Sequence, residues 1–482
     1  MLDLPLFMRR HSALLTRLLV CAGTLVLLVA IGYVAAEVNP FLALGLMLAP
    51  VAVLVLLRHT GLGLVAMVVV AVFVRFRIPT GTASEIVISL LICGVILALW
   101  VARMLIVDKR VVLRRAPVNL PLLAFVAVVF ISLLWGRVYR DPLVRDFGSP
   151  FVSIASAVVI ALLPATLLLA ANLLEGQRWL RATVWTFLGV GAVSLALSLA
   201  ADPRVGSVKA LQSFLVSNRF LGVNLQGLFS TWYIALGMAL ALFHRRLHWA
   251  WRAALAALVV GWVYWGFWLR TSWLSGWVPA FVAAAAIAFM HSKRLFIVLL
   301  IIVVAAGVYY WQTQFDAEVG ESGETRLMAY EVNWRVTGKH LFLGTGPAGY
   351  AAYYMSYFPT EAMASHNTYI DVLAQMGMVG LFFYLWLFGA QLWGGYSFLL
   401  TLRGRGDFAE GLAAGVVGGT LACVVAMALG DWLLPFAYTQ GIAGFDSAMI
   451  NWLLMGTLWA LRHTVPLSML STSTQDTGGA TA

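Results

Sequence analysis

Apolar stretches long enough to cross a lipid bilayer follow one another along almost the whole chain. Of its 482 residues, 62% are hydrophobic and 11% are charged, whereas a soluble domain has roughly 25% charged residues. A spanning helix needs about 20 apolar residues, so the pattern predicts an all-α, polytopic integral membrane protein with about 12–14 transmembrane helices. The candidate spans lie near residues 14–36, 41–57, 61–74, 86–106, 118–135, 151–174, 182–200, 225–243, 253–269, 273–290, 295–311, 367–400, 410–430 and 442–461.

The charged residues between these spans predict the orientation of the chain. Most of the 31 Lys and Arg residues fall in every second segment, as in 108–115 and 291–294, and basic segments remain in the cytoplasm. Both termini are therefore expected inside and the longest polar segment outside. This placement accounts for the net charge of +11 without a nucleic-acid partner. Residues 14–36 resemble the core of a signal peptide, but they are longer and are expected to remain as an uncleaved first span.

The predicted organisation has four parts. Residues 1–311 hold transmembrane helices 1–11, and residues 312–366 form one large extracytoplasmic loop with a short amphipathic helix. Residues 367–465 hold the C-terminal transmembrane helices. Residues 466–482 are rich in Ser, Thr, Gly and Ala and are expected to be a disordered cytoplasmic tail. In the segment 202–224, between two spans, a helix lying in the membrane interface is expected.

The chain has none of the common signatures of a metal or nucleotide site. Cys21, Cys93 and Cys423 all fall within predicted spans, so they provide neither a disulfide framework nor a metal cluster. The sequence also lacks GxxxxGK[ST] and HExxH motifs. We therefore expect a protein without a metal or a cofactor.

The predicted loop holds nearly all the polar chemistry of the chain. Ser322 or Thr325 can cap a helix that runs to about residue 338. An amphipathic face of this helix is predicted from residues at three- and four-residue spacing, namely Leu327, Tyr330, Trp334 and Thr337. The turn residues 344–350 follow. The aromatic cluster behind them suits either the lipid headgroup level or stacking on sugar rings, and comprises Tyr350, Tyr353, Tyr354, Tyr357 and Phe358.

Two of the eight histidines, His340 and His366, are predicted to face outward, and they bracket the glycine-rich turn. His366 begins a long predicted helix, with Ser365 as its expected N-cap. The positive end of a helix favours the neutral imidazole, which can accept a proton as a general base. The alternative is that His366 only caps the helix and binds the loop. Position alone leaves both interpretations open.

Three arginines on the predicted outer side are candidates for binding phosphate groups. Arg326 lies in an acid-rich part of the loop, where it forms either a surface ion pair or a bidentate contact with a pyrophosphate. Arg270 falls in a very short turn between two spans, so it either anchors the helix end at the headgroups or binds a phosphate. Arg219 is the third candidate.

A set of motifs runs in a fixed order from Glu324 to Leu381. An Arg and a Trp precede a Leu-x-x-Gly-x-Gly turn, and a helix start with His-Asn-x-Tyr follows, with leucine and glycines spaced after it. The residues are Glu324–Arg326, Trp334, Leu341–Pro347, Ser365–Tyr369, Leu373–Gly377 and Gly380–Leu381. This order resembles the O-antigen ligase and O-antigen polymerase family of bacterial membrane glycosyltransferases.

The resemblance implies a metal-independent inverting glycosyltransferase of cell-surface polysaccharide biosynthesis. Such an enzyme moves a glycan from undecaprenyl pyrophosphate to an acceptor sugar hydroxyl, on the extracytoplasmic side of the bacterial inner membrane. Its implied partners are the lipid-linked glycan donor, an acceptor glycan or glycolipid, and the bilayer.

The family's functional residues map onto this chain one by one. The family's loop Arg matches Arg326 and its helix-start His matches His366, which makes these two the expected catalytic residues. The expected substrate-binding residues are Arg270, Arg219, Asn367, Tyr369 and Trp334. Arg270 departs from the pattern, because the family's Ser-Arg pair is here Ser272-Trp273, with the nearest cation two residues earlier.

The sequence leaves several functions open. A ligase would use lipid A core oligosaccharide as the acceptor and a polymerase another lipid-linked repeat; the number of spans favours a polymerase or a broad ligase-like enzyme. The alternative class is a polysaccharide or lipid transporter without chemistry, in which Arg270 and Arg219 would line a through-going cavity. A purely structural scaffold would not need two outward histidines around a glycine turn.

Overall fold

Long helices make up most of the described chain. The computed structural model describes residues 55–465, except 57, 81–83, 140–143, 145–149, 207, 219, 270–273, 314–328, 332, 358–364 and 439. In chain order the helices are α1 Thr60–Phe73, α2 Ile88–Ala102, α3 Asn119–Val138, α4 Pro150–Leu173, α5 Gly176–Ala201, α6 Lys209–Ser217, α7 Phe229–Phe243, α8 Trp249–Val263, α9 Leu274–His291, α10 Lys293–Thr313, α11 Gly349–Tyr357, α12 Thr368–Leu402, α13 Phe408–Ala426 and α14 Phe445–Thr464.

Shorter elements complete the fold. Helices α2 and α8 continue as π-helical turns, Arg103–Val107 and Tyr264–Leu269. Residues 333–339 form a short helix in the predicted loop. Strands β1 Arg77–Pro79 and β2 Glu85–Val87 pair antiparallel, with Ile78 opposite Ile86. By internal contacts, residues 1–60 and 61–482 form two units.

The prediction of an all-α, polytopic membrane protein is confirmed. Within the described ranges, seven helices are long and apolar enough to cross a membrane, and three further apolar helices are shorter. The short ones include α1 and α7. The full number of spans stays a prediction, because residues 1–54 lie outside the described chain.

The predicted helix in the segment 202–224 corresponds to α6. None of its nine residues is buried, and Phe214 and Val216 are exposed. An apolar yet exposed helix is what a membrane interface would accommodate. Its helical state is confirmed, and its position at the interface stays a prediction.

The centre of the bundle is formed by α7, α13 and α14. Residues along almost the whole length of α14 are buried. Glycines on α13 bring its neighbours close: a Cβ at Gly415 would come within 2.8 Å of Leu236 on α7, and one at Gly418 within 2.8 Å of Ile287 on α9. Small residues allow the helices to pack closely. In lipid, where the hydrophobic effect does not drive helices together, this close packing stabilises their association.

Buried polar side chains connect the central helices. The indole Nε1 of Trp232 on α7 donates to Oδ1 of Asn451 on α14 at 2.9 Å, and Asn451 Nδ2 donates to the carbonyl of Trp432 at 3.2 Å. Trp459 Nε1 donates to Gln391 Oε1 at 2.6 Å, joining α14 to α12. Each pair satisfies polar groups that would otherwise be unpaired in an apolar interior.

We predict that Asn451→Leu destabilises the protein by about 1–3 kcal/mol, because it leaves the Trp232 N–H buried without an acceptor. Thermal unfolding in detergent, followed by tryptophan fluorescence, measures the effect. The matched control is Thr420→Val, since the buried Thr420 hydroxyl donates only within its own helix, to the Val416 carbonyl at 2.8 Å. Equal stability of the two variants would contradict the role of Asn451.

Candidate functional site

Helix α12 is broken at Gly377, near the end that begins with His-Asn-x-Tyr. Gly377 has φ 66° and ψ −170°, which no residue inside an α-helix adopts. The glycine-rich turn of the loop docks into this break. Thr345 N donates to the Ala374 carbonyl at 2.9 Å, and Gly346 N to the Gln375 carbonyl at 2.9 Å. One continuous span was predicted at residues 367–400. In the structure, the first turns of this helix are bonded to the loop.

The break is bonded from the other side as well. Met378 N donates to the Leu341 carbonyl at 2.8 Å, and Gln375 Oε1 accepts from Ala348 N at 2.9 Å. The hydroxyl of Ser132 on α3, which is fully buried, lies 2.6 Å from the Gln375 carbonyl oxygen. Backbone groups that the break releases are thereby satisfied inside the protein, as an apolar surrounding requires.

Two glycines make this close contact possible. Gly344 has φ 71° and Gly377 has φ 66°, in the left-handed region that glycine occupies without strain. A Cβ at Gly344 would lie 2.3 Å from the Gln375 carbonyl carbon, and one at Gly377 would lie 2.2 Å from that of Phe342. The glycines of the loop turn and of α12 are therefore two halves of one contact.

The aromatic residues behind the turn form a buried core beneath the loop. Tyr350 is fully buried with Ala351, Ala374 and Phe436. Tyr353 is 5% exposed, and its ring packs edge-on against His340, which is 4% exposed. The prediction that these tyrosines lie at the headgroup level or stack on sugars was wrong for Tyr350 and Tyr353. His340 is likewise buried between rings and does not face outward. The side chains of Tyr354 and Tyr357, and Phe358, lie outside the residues that the structure describes.

The short helix 333–339 turns a different face inward from the one predicted. Asn333, Val336 and Thr337 are buried, whereas Trp334 is 68% exposed. Trp334 and Thr337 thus do not share one buried face. The cause is the cluster beneath the loop, in which Val336 packs with Tyr353 and Val144.

An open, largely apolar cleft of about 630 Å³ lies between this helix and the first turns of α12. Its lining residues are Tyr330, Glu331, Asn333, Trp334, Arg335, Ile370 and Leu373. Arg335 forms an ion pair with Glu331. Asn333 Oδ1 accepts from the Thr337 hydroxyl at 2.8 Å, and its Nδ2 has no hydrogen-bond partner within the described chain. Asn333 therefore offers a buried amide donor to an oxygen atom of a ligand in the cleft.

The start of α12 is built by side chains of the motif. Asn367 is the N-cap: its Oδ1 accepts from Tyr369 N at 3.0 Å and from Ile370 N at 3.3 Å. Ser365, the expected N-cap, instead donates to Oδ1 of Asp371 at 2.6 Å. The expectation for Ser365 was wrong because the asparagine two positions later reaches the free amides of the first turn.

The same residues tie α12 to the end of α13. The Tyr369 hydroxyl donates to the Val424 carbonyl at 2.7 Å, and the Thr368 hydroxyl to the Gly430 carbonyl at 2.8 Å. Thr368 N donates to the Met427 carbonyl at 2.8 Å. Asn367 and Tyr369, which were expected to bind substrate, therefore hold the helix start and the segment 427–431 together. A substrate contact by either stays a prediction.

This arrangement brings His366 to a buried carboxylate. His366 has φ 50° and a side chain that is 47% exposed. Its Nδ1 lies 3.4 Å from Oδ1 of Asp431, whose side chain is 2% exposed. This is a long hydrogen bond, in which the N–H at Nδ1 of a neutral ring donates to the carboxylate and so orients the ring. An oriented histidine backed by an acid and half open to solvent is suited to accept a proton.

Asp431 and Asn333 were not found by sequence reasoning, and Gln375 was named only as part of the motif Leu373–Gly377. Asp431 carries the clearest signal, as an acid in Leu429-Gly430-Asp431-Trp432 between two late apolar spans. Arg326, Arg270 and Arg219 lie outside the residues that the structure describes. Their roles stay predictions.

Comparison with protein families finds a match to part of this region. Residues 250–385 match the family model described as O-antigen ligase. This part of the chain is similar to the O-antigen ligase family. The family match extends from α8 to the middle of α12, and so includes the loop, the glycine turn and His366. Asp431 lies beyond it. No protein in the curated set matches the chain. The predicted family resemblance is confirmed for the O-antigen ligase region.

We predict that Gly377→Ala destabilises the contact between the loop and α12. The left-handed φ alone costs about 1–2 kcal/mol for a residue with a Cβ, and the clash with Phe342 adds to it. Thermal unfolding in detergent and the rate of trypsin cleavage at Lys339 measure the loss. Gly389→Ala in the same helix is the matched control, because a Cβ there meets nothing within 4 Å. Equal cleavage rates in both variants would contradict the docking.

Proposed function

We propose that the protein is a membrane glycosyltransferase that transfers a glycan from undecaprenyl pyrophosphate to an acceptor sugar hydroxyl. The observation that carries the proposal is His366, half exposed and paired with the buried Asp431. His366 lies just before α12, whose first turn, at Ile370, lines the apolar cleft. Similarity to the O-antigen ligase family supports a reaction of this type.

His366 acts as the general base. With Nδ1 directed to Asp431, the ring leaves Nε2 for the hydroxyl of the acceptor sugar. The acceptor oxygen attacks the anomeric carbon of the donor while its proton passes to Nε2. The bond from the anomeric carbon to the phosphate oxygen breaks, and the electron pair leaves with undecaprenyl pyrophosphate. Asp431 stabilises the imidazolium that forms, and the single displacement inverts the anomeric configuration.

The charge of the leaving group is held by arginines. In this proposal Arg326, with Arg270 and Arg219, binds the pyrophosphate oxygens through planar guanidinium groups, which bind two oxygens at once. Fixed cations at the leaving group lower the barrier by stabilising charge that develops in the transition state. The support for these roles is the family match over residues 250–385, which includes Arg326 and Arg270 but not Arg219.

The cleft binds the glycan next to the reacting atoms. Trp334 presents an exposed ring on which a sugar can stack, and Asn333 supplies an amide donor at the cleft wall. Ile370 and Leu373 continue the apolar lining toward α12. The active site is proposed to face the extracytoplasmic side of the bacterial inner membrane, because the basic segments of the chain are expected on the cytoplasmic side.

We predict that His366→Ala lowers kcat for glycan transfer by about 10²–10⁴-fold, the usual range for removal of a general base. Asp431→Asn is expected to lower kcat about 10-fold or more with KM unchanged, since the ring loses its orienting charge but the cleft is intact. His463→Ala and Asp446→Asn are the controls; Asp446 is a buried acid that pairs with Ser89 and not with a histidine.

Full transfer by His366→Ala with saturating donor and acceptor would show that the base is another group. A rise in KM for Asp431→Asn without a fall in kcat would assign that residue to binding instead.

A reconstituted assay separates the reaction types. Purified protein in liposomes receives an undecaprenyl-pyrophosphate-linked oligosaccharide in the presence of a chelator, and products are resolved by gel. A ladder of lengthening donor identifies a polymerase, and product that forms only after lipid A core is added identifies a ligase. In either case we expect Arg326→Ala to abolish product and Arg110→Ala, in a segment predicted to be cytoplasmic, to retain it.

Two results would overturn the proposal. Donor that crosses the bilayer chemically unchanged would identify a transporter. Product that disappears on chelation would show that a metal ion, and not the arginines alone, neutralises the leaving group.

A further inference from the structure

A second cavity lies at the end of α12 opposite His366. Its volume is about 290 Å³, far above the roughly 30 Å³ that one water molecule occupies. Residues near the ends of α7, α9, α10, α12 and α13 line it. The proposed transfer reaction has no use for this cavity, because the whole length of α12 separates it from His366.

One wall of the cavity is apolar and continuous with the outer surface of the bundle. Phe289 is 55% exposed, Leu400 is 47% exposed and Tyr396 is 41% exposed, and all three line the cavity. Among the helix pairs with extensive contacts, α10 packs against α9 alone. The side of the cavity toward α10 is therefore loosely closed, and apolar side chains there would face lipid tails.

The rim of the cavity is cationic. Lys293 begins α10 and Arg403 follows the last residue of α12, and both line the cavity and are exposed. Neither forms an ion pair with an acid in the described part of the chain. Both belong to segments that the charge distribution predicts to be cytoplasmic.

The acids nearby are already engaged. Glu410 also lines the cavity, but it is 5% exposed, and its two carboxylate oxygens accept from Gly404 N at 2.9 Å and Gly406 N at 2.7 Å. Asp407 pairs with Arg405 at 3.0 Å. The one buried carboxylate in the lining, Glu410, is thus outnumbered by the two exposed cations, and the rim keeps a net positive charge that can bind an anion.

We propose that this cavity binds one anionic phospholipid, with its phosphate between Lys293 and Arg403 and an acyl chain against Phe289, Tyr396 and Leu400. An apolar wall that opens to the lipid-facing surface selects an amphiphile over a free phosphate ion. Two cations without acidic partners select a net negative headgroup over a zwitterionic one. The site goes beyond the proposed glycosyl transfer and does not depend on it.

The test uses the full-length protein purified in detergent and titrated with dioleoylphosphatidylglycerol or dioleoylphosphatidylcholine, with bound lipid counted by native mass spectrometry. We expect one phosphatidylglycerol to be retained in preference to phosphatidylcholine. The double variant Lys293→Ala/Arg403→Ala is expected to weaken that retention about thirtyfold, since each cation contributes about 1 kcal/mol of attraction to an anionic lipid and about 1.4 kcal/mol corresponds to a tenfold change. Leu400→Trp, which fills the apolar part of the cavity, is expected to lower retention of the lipid although both cations are still in place.

The matched control is Arg110→Ala/Arg115→Ala, which removes the same charge from the predicted cytoplasmic side but leaves the cavity lining unchanged. Equal loss in this control would overturn the proposal in favour of unspecific attraction by net charge. Equal retention of both lipids, or displacement of the lipid by inorganic phosphate, would also overturn it. Thermal unfolding of each variant verifies that the fold is kept, and Leu400→Trp provides a separate test if the double variant unfolds.

Discussion

The break in α12 is the constraint on which the rest of the site depends. A transmembrane helix that interrupts its own hydrogen bonds must find partners for the freed groups inside the protein, because lipid offers none. Here the partners are the amides and carbonyls of the loop turn, with Ser132 and Gln375 added. The loop is consequently fixed to the bundle at the level of Gly377, and its helix and aromatic core follow from that attachment.

The same attachment defines the cleft and the position of the base. Residues 333–339 lie beside the first turns of α12 because the turn behind them is bonded to Ala374 and Gln375. The helix start is held to the segment after α13 by Thr368 and Tyr369. His366 therefore meets Asp431 through contacts that involve no substrate. In the proposed reaction, such preorganisation would let Asp431 orient His366 without a cost at the moment of reaction.

The sequence predicted the helical membrane fold, since the length and composition of apolar spans are dictated by the bilayer. It also singled out His366 and the glycine turn as candidates, because those motifs are local. It could not predict Asp431, which comes from a segment that only tertiary packing brings to His366. The sequence also could not predict which aromatic side chains are buried. Tyr350 and Tyr353 are of a residue type that is common at membrane interfaces, but the docked loop buries them in a core. The N-cap was assigned to Ser365 because the competing bond to Asp371 is invisible in a linear pattern.

The docking of the turn into α12 also sets an order for biogenesis. Residues 341–346 are synthesised before residues 374–378, and roughly 30 residues separate the two partners, so the chain closes this contact at a small entropic cost. Helix α12 reaches its broken geometry only against a loop that has already formed its turn. Helices α13 and α14, which are made later, are then added to a template in which the loop and α12 are already in contact, and the segment after α13 brings Asp431 to His366.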